Sequence, residues 1–381
     1  MGARRARRGH VYRRRTKGGG WSRWHAVIDL EPEEDGRRRQ VTRSFDTRRE
    51  AHSWLAGQQH AAEVGGPTVA EFLTGWLAGR GDLRASTVAS YCGHVTNYLA
   101  PLLGDQPLRL LTAADVQALH QQLSAAGVST ASARRIHATL SSALTAAVVD
   151  GLLPVNPAQR VHLPRAARYR PVVWTAEQAG RFLAATSRDE LAGLWRLALL
   201  LGLRRGELLG LRWHDVDAGA GTLTVRATRV AVGGQVVEGP PKSARGRRVL
   251  PLDPATLGVL SQHRYAQIEQ APQTWSLGRH VFTDEHGQPL QPAWVSRRFA
   301  ELIQQTGLPP IRFHDLRHTS ATLGLAAGES LKEVSQRLGH SSIVVTADTY
   351  LTPPDTLARA STDRLAGALD KAWQPPRRGA A

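Results

Sequence analysis

Between Thr68 and Leu163 the apolar positions recur at intervals of three and four residues. Val69, Phe72, Leu73, Trp76 and Leu77 form one such stripe, and Val88, Tyr91, Val95 and Tyr98 form another. This is the period of a helix with one buried face. Further helices are predicted from Thr112 through Leu123 and from Ser129 through Val149. The segment carries no strand pattern and is expected to be a helical domain of roughly four or five helices. The residues before it follow a different period. Trp24–Leu30 and Arg39–Phe45 alternate as a half-buried hairpin does, around the acidic, Gly-containing turn Glu31–Gly36. Asp46 or Thr47 then caps a helix running through Ala51, Trp54 and Leu55, with Glu50 at capping-box distance from Thr47. Gly65-Gly66-Pro67 closes this first unit, and Gly151, Pro154, Pro157 and Pro164 mark a second connection.

From Arg165 onward the pattern is mixed. Leu191–Leu201 is an almost wholly apolar helix that must be buried. Thr222–Val225 and Arg247–Leu250 are predicted as strands joined by glycine-rich turns, and helices resume at Pro254, Pro292, His314, Ser330 and Ser342. The tail after Trp373 is expected to be loose. The fold class is therefore α+β and multidomain. It has a small sheet with one helix (1–66), an all-helical domain (67–164), and a mainly helical domain with a small sheet (165–381).

Charge changes the picture more than composition does. Apolar residues make up 41% of the 381, enough for real cores, while 49 Lys and Arg against 32 Asp and Glu leave a net +17. The natural complement is a polyanion. An anionic membrane is disfavoured, because no run approaches the length of a span and the N-terminus has no apolar leader. The single cysteine, Cys92, excludes a disulfide framework. The first 23 residues carry nine basic residues and no acid, and are expected to be a flexible, solvated arm. Arg13, Arg14, Arg15 and Lys17 are its candidate DNA contacts.

Four segments concentrate reactive side chains. Gly202-Leu203-Arg204-Arg205-Gly206-Glu207 ends the buried helix, so Arg204 would project from a rigid support with Glu207 three residues on to hold it. Pro241-Lys242-Ser243-Ala244-Arg245-Gly246-Arg247-Arg248 is a basic hairpin tip, with Arg245 and Arg247 as candidate phosphate contacts. Lys242 stands out, since only Lys17, Lys242, Lys332 and Lys371 break the arginine bias, and a lysine can give up a proton where an arginine cannot. His314-Asp315-Leu316-Arg317-His318 opens a helix and sets His314, Arg317 and His318 near one face; a zinc reading is weak, since the glutamate of a metalloprotease helix is missing. Leu338-Gly339-His340-Ser341-Ser342 precedes Tyr350. Singly, each segment has an ordinary structural reading as a cap or salt bridge. Together they form a metal-free kit for phosphoryl transfer. Guanidiniums neutralise the non-bridging oxygens, a tyrosine attacks phosphorus, and histidine and lysine move protons.

In that order, these motifs resemble the tyrosine recombinase, or phage integrase, family. The resemblance implies that Tyr350 is the nucleophile of a 3′-phosphotyrosyl intermediate and that Arg204 and Arg317 clamp the scissile phosphate. It further implies that Lys242 protonates the leaving 5′-oxygen, that His314 and His340 hydrogen-bond the phosphate, and that Glu207 supports Arg204 and His314. By the same resemblance residues 10–62 look like an arm-binding domain, 68–164 like a helical core-binding domain, and the remainder like a catalytic domain. The implied partners are core and arm sites in double-stranded DNA, a homotetramer on that DNA and a separate directionality factor for excision. No metal, no ATP and no membrane are expected, in a bacterial cytoplasmic, nucleoid-associated setting. A type IB topoisomerase uses similar chemistry, and a non-catalytic DNA-binding regulator would explain the charge alone. The arm-like unit favours the recombinase, and the ordered Arg, Lys, His-Arg, His, Tyr set disfavours the regulator.

Overall fold

A computed structural model describes residues 9–15, 21–29, 40–64, 66–165, 171–241 and 244–340, with Thr362, Asp363, Leu365–Gly367 and Leu369 near the C-terminus. The chain divides into two compact units, residues 1–168 and 169–381.

The first unit opens with a three-stranded antiparallel sheet of β1 (Gly9–Tyr12), β2 (Trp24–Asp29) and β3 (Gln40–Phe45), in that order. The predicted hairpin is β2–β3, pairing Trp24 with Phe45 and Ile28 with Val41. Helix α1 (Arg48–Val64) starts where Thr47 and Glu50 exchange backbone-to-side-chain bonds. Ala26, Ile28, Ala51 and Leu55 are buried, and Phe45 packs on Trp54 with ring centroids 5.8 Å apart. Strand β1 corrects the expectation of a flexible arm at Gly9–Tyr12, while residues 1–8 and 16–20 lie outside the described residues. Gly9–Tyr12 adds to the free edge of β2, satisfying backbone groups that a hairpin alone would expose. Its short alternation is hard to see among the arginines. Gly9 is required there, since a Cβ would lie 2.4 Å from Leu55 and 2.6 Å from the Val27 carbonyl.

The helical segment comprises α2 (Val69–Ala78), α3 (Ala85–His94), a π-helical turn at Val95–Leu99 that runs on into α4 (Ala100–Leu103), α5 (Ala113–Ala125) and α6 (Thr130–Val149). Thr68 with Glu71 and Thr112 with Asp115 form capping boxes. Of the predicted stripes Val69, Leu73, Trp76 and Val95 are buried and Phe72, Leu77, Tyr91 and Tyr98 partly so. They form one cluster with Leu99, Leu119, Leu123, Ile136 and Leu140 that is separate from the residues buried under the sheet.

The second unit contains α7 (Ala176–Ala185), α8 (Ala192–Leu200), α9 (Arg205–Gly210), α10 (Pro254–Gln270), α11 (Pro292–Thr306), α12 (Asp315–Ala326) and α13 (Leu331–Leu338). Its strands are β4 (Val216–Asp217), β5 (Thr222–Val225), β6 (Thr228–Val232), β7 (Gln235–Gly239) and β8 (Arg248–Pro251), in one sheet ordered β4-β5-β8 and a separate β6-β7 hairpin. That hairpin corrects the expectation of glycine-rich turns alone between the two predicted strands. Gly233 and Gly234 both have positive φ, as a two-residue hairpin turn requires, and Val232 pairs with Gln235 on either side of them. The core is aromatic, with Phe299 packed on Trp174, Phe182, Trp195 and Phe313 at 5.5–6.0 Å. Helix α8 is buried as predicted, except that Leu200 at its end is 42% exposed. The helix expected at Ser342 and the tail after Trp373 lie outside the described residues.

Candidate active site

Helix α8 stops at Gly202, whose φ of +62° belongs to glycine and whose missing Cβ would meet Leu338 at 2.4 Å. The chain turns there and re-enters a helix at Arg205, leaving Arg204 as the residue before the first turn of α9. Glu207 fixes it twice. Its carboxylate accepts the Arg204 backbone N–H at 3.0 Å and Arg204 Nη1 at 2.7 Å. Glu207 is buried while the Arg204 side chain stays 41% exposed, so the guanidinium is held from behind and open in front. Arg205 turns elsewhere and donates to Ser296 Oγ on α11.

Arg317 joins the segments. It lies in the first turn of α12 and is 4% exposed; Nη1 donates to the Gly202 carbonyl and Nη2 to the Leu338 carbonyl, each at 2.7 Å. One guanidinium thereby bolts the turn before Arg204 to the end of α13. That helix ends at Gly339 in a left-handed conformation (φ +66°), and His340 follows with its N–H on the Ser335 carbonyl at 3.1 Å. On α12 the rings of His314 and His318 meet edge to face at 5.5 Å.

The electrostatics show the same convergence. Burial, then the charges of His318, Arg317 and Arg204, lower the His314 pKa to about 4, with Asp315 opposing. Burial, then Arg317, Arg204, His318 and Arg248, lower that of His340 to about 4. Both imidazoles are neutral near pH 7, able to accept a proton or donate a hydrogen bond. For Glu207 burial pulls upward, but the charge and hydrogen bonds of Arg248, and then Arg204, hold the carboxyl below its ordinary value.

Arg204, Glu207, His314, Arg317 and His340, from three distant stretches of sequence, thus surround one patch. Tyr350, Lys242 and Lys17 lie outside the described residues. Arg245, in the 3-10 turn Ala244–Gly246, and Arg247, just before β8, are exposed. Arg13, Arg14 and Arg15 are exposed in the first unit, with guanidiniums 5.2–5.9 Å from the rings of Tyr12, Trp21 and Trp24. Sequence reasoning set His318 near one face with His314 and Arg317 and counted Arg248 in the basic hairpin, but gave neither a role in the patch, and it passed over Arg337. Arg337 ties the end of α8 to α12, donating to the Leu200 carbonyl and Ser320 Oγ at 3.0 and 2.7 Å. Arg248 was legible by alternation, since Leu250 in the same strand points inward and two residues separate like faces.

Comparison with known proteins agrees with this geometry. Residues 173–355 match the model of the phage integrase family, and residues 10–61 match that of an arm DNA-binding domain. Over residues 173–355 the chain belongs to the phage integrase family of tyrosine recombinases. Among relatives of this family, a XerC-like tyrosine recombinase of Caldanaerobacter subterraneus is 27% identical over 308 residues, covering 74% of this chain and 78% of its own. The integrase of Mycobacterium phage D29 is 29% identical over 335 residues, covering 81% and 85%. In fold the chain is similar to the Tn1549 transposon integrase solved with a circular intermediate DNA, at TM-score 0.68 and 21% identity over 79% of this chain and all of that one. It is also similar to lambda integrase solved as a tetramer on a Holliday junction, at TM-score 0.59 and 21% identity over 92% and 95%. Family members cut and rejoin DNA, and this chain is a site-specific recombinase.

Proposed function

We propose that this recombinase integrates or excises a mobile element through a covalent bond between Tyr350 and a 3′-phosphate. The observation that carries the reading is Arg317, a buried guanidinium whose two terminal nitrogens gather the Arg204 and His340 segments onto one patch. In the proposed step Tyr350 Oη bonds to phosphorus while the P–O5′ bond breaks. Arg204 and Arg317 offset the charge growing on the non-bridging oxygens. The neutral His314 and His340 hydrogen-bond those oxygens, and one takes the tyrosine proton. Lys242 gives a proton to the departing 5′-oxygen. Rejoining runs the step backwards with the 5′-hydroxyl of a second strand, so the energy of the phosphodiester is conserved and no ATP is consumed.

The same reading divides the labour three ways: residues 1–66 on arm sites, 67–164 on the core site and 165–381 in catalysis, with Arg245 and Arg247 on the backbone near the cut. Exchange between two duplexes calls for four active sites, hence a homotetramer on DNA, and excision for a separate directionality factor. The setting is the bacterial nucleoid; among the described residues no helix is long and apolar enough to cross a membrane. The test is a suicide duplex carrying the core site and a nick beside the cut. The full chain should become covalently attached to it in the presence of a chelator, and Tyr350→Phe should bind but never attach. Attachment that needs a divalent metal would overturn the mechanism.

A further inference from the structure

A buried carboxylate bonded to one guanidinium cancels most of that guanidinium's field. Glu207 stands in this relation to Arg204, with its side chain 3% exposed and two bonds to the same residue. A clamp quenched by its own support would grip an anionic phosphate weakly. A second cation changes the balance. Arg248, at the start of β8, has a side chain only 8% exposed, whereas its neighbour Val249 is 62% exposed, so the strand turns its arginine inward and its valine outward. Arg248 Nη2 donates to Glu207 Oε2 at 2.9 Å, and Nη1 lies 3.4 Å from Oε1. Its remaining bonds are to backbone, Nη1 to the Gly246 carbonyl at 2.9 Å and Nε to the Arg337 carbonyl at 2.7 Å. Burying such a charge is costly unless it is paired, and the planar fork here meets a carboxylate and two carbonyls at once. Gly339 leaves room for it, since a Cβ there would lie 2.9 Å from Arg248 Nη1.

Resting on the reading of Arg204 as a phosphate clamp, we infer that Arg248 is a positioning residue whose buried charge offsets Glu207. Two guanidiniums share one carboxylate, the trio keeps a net positive charge, and the exposed member directs it at the scissile phosphate. Glu207 can then orient Arg204 without silencing it. Arg248 touches no substrate in this account, and its contribution is to the charge balance behind the clamp.

The test is single-turnover cleavage of the suicide duplex by the full chain. Arg248→Gln should slow cleavage by about tenfold to a hundredfold, the range usual for a group that orients a catalytic one. The decisive variant is Arg248→Gln combined with Glu207→Gln. It should cleave faster than Arg248→Gln alone, because the carboxylate left to capture Arg204 is gone. A residue that only packs the turn would show no such rescue. A double variant no faster than Arg248→Gln, or an Arg248→Gln protein as fast as wild type, would overturn the inference. Should Arg248→Gln fail to fold, Arg248→Lys decides: with the charge kept it should stay faster than Arg204→Ala, and a loss as large as that of Arg204→Ala would overturn the inference. Wild-type protein that never cleaves would overturn the recombinase reading and this inference with it, whereas an unimpaired Arg248→Gln beside an active wild type overturns the inference alone.

Discussion

Arginine is used in opposite ways in the two units. In the second, Arg317 and Arg248 are buried and bonded to carbonyls and a carboxylate at 2.7–2.9 Å, so each has one geometry. In the first, Arg13, Arg14 and Arg15 lie exposed against the rings of Tyr12, Trp21 and Trp24, at 5.2–5.9 Å. Burial of a guanidinium carries a desolvation penalty and is repaid in fixed direction. An exposed guanidinium on a ring costs little and adapts to where a phosphate lies. The difference separates chemistry, which needs charge at one point, from affinity, which needs charge along a path.

The sharpest way to break this comparison is to remove one arginine of each kind. Arg317→Ala should cut the cleavage rate by at least about 10²–10³, as loss of an oxyanion donor does, and should also lower the melting temperature, because two buried carbonyls lose their donor. Arg13→Ala should leave cleavage of a core duplex unchanged. Equal effects in a cleavage assay would erase the distinction. Lys242 extends the test to proton transfer. Lys242→Ala should lose on the order of 10²–10⁴ in rate, and a substrate with sulfur as the bridging 5′ atom should restore much of it, because a thiolate leaves unprotonated. That substrate should not rescue Arg204→Ala, since Arg204 serves the non-bridging oxygens.

Much of the site was legible because its segments are anchored by local signals. Gly202 ends an apolar helix, Gly339 ends an amphipathic one, and Glu207 stands at capping distance from Arg204, so the clamp could be placed before its surroundings were known. The Thr47, Thr112 and Ser129 caps located three helices for the same reason. What escaped depends on partners far along the chain. Strand β1 exists because β2 offers it an edge, and its alternation is four residues long. Arg248 is buried because Glu207, 41 residues away, and the Arg337 carbonyl, 89 away, supply acceptors. Composition alone made Arg248 one more member of a basic hairpin.

Proton linkage gives a smaller effect, to which the second unit's patch contributes two histidines. His314 and His340 titrate near pH 4 when folded and near 6.5 when unfolded. Between those values the unfolded chain binds protons that the folded chain refuses, so stability should fall as pH drops from about 6.5 to 4. Denaturant midpoints across that window should show the fall, and replacing both histidines by glutamine should shallow it. A midpoint that rises on acidification would contradict the buried, neutral assignment. The smallest effect is expected in the first unit, where Arg14→Ala should weaken arm-site binding modestly and reduce the slope of log K against log salt by about 0.9, one phosphate's worth.

The central claim is that this patch serves a covalent tyrosine intermediate. The direct measurement is to trap the full chain on a nicked core duplex, digest the adduct and map the modified peptide by mass spectrometry. The account predicts a nucleotide on Tyr350, linked through a 3′-phosphate, with a free 5′-hydroxyl on the released strand. A label on another residue, or a 5′-phosphate link with a free 3′-hydroxyl, would contradict it.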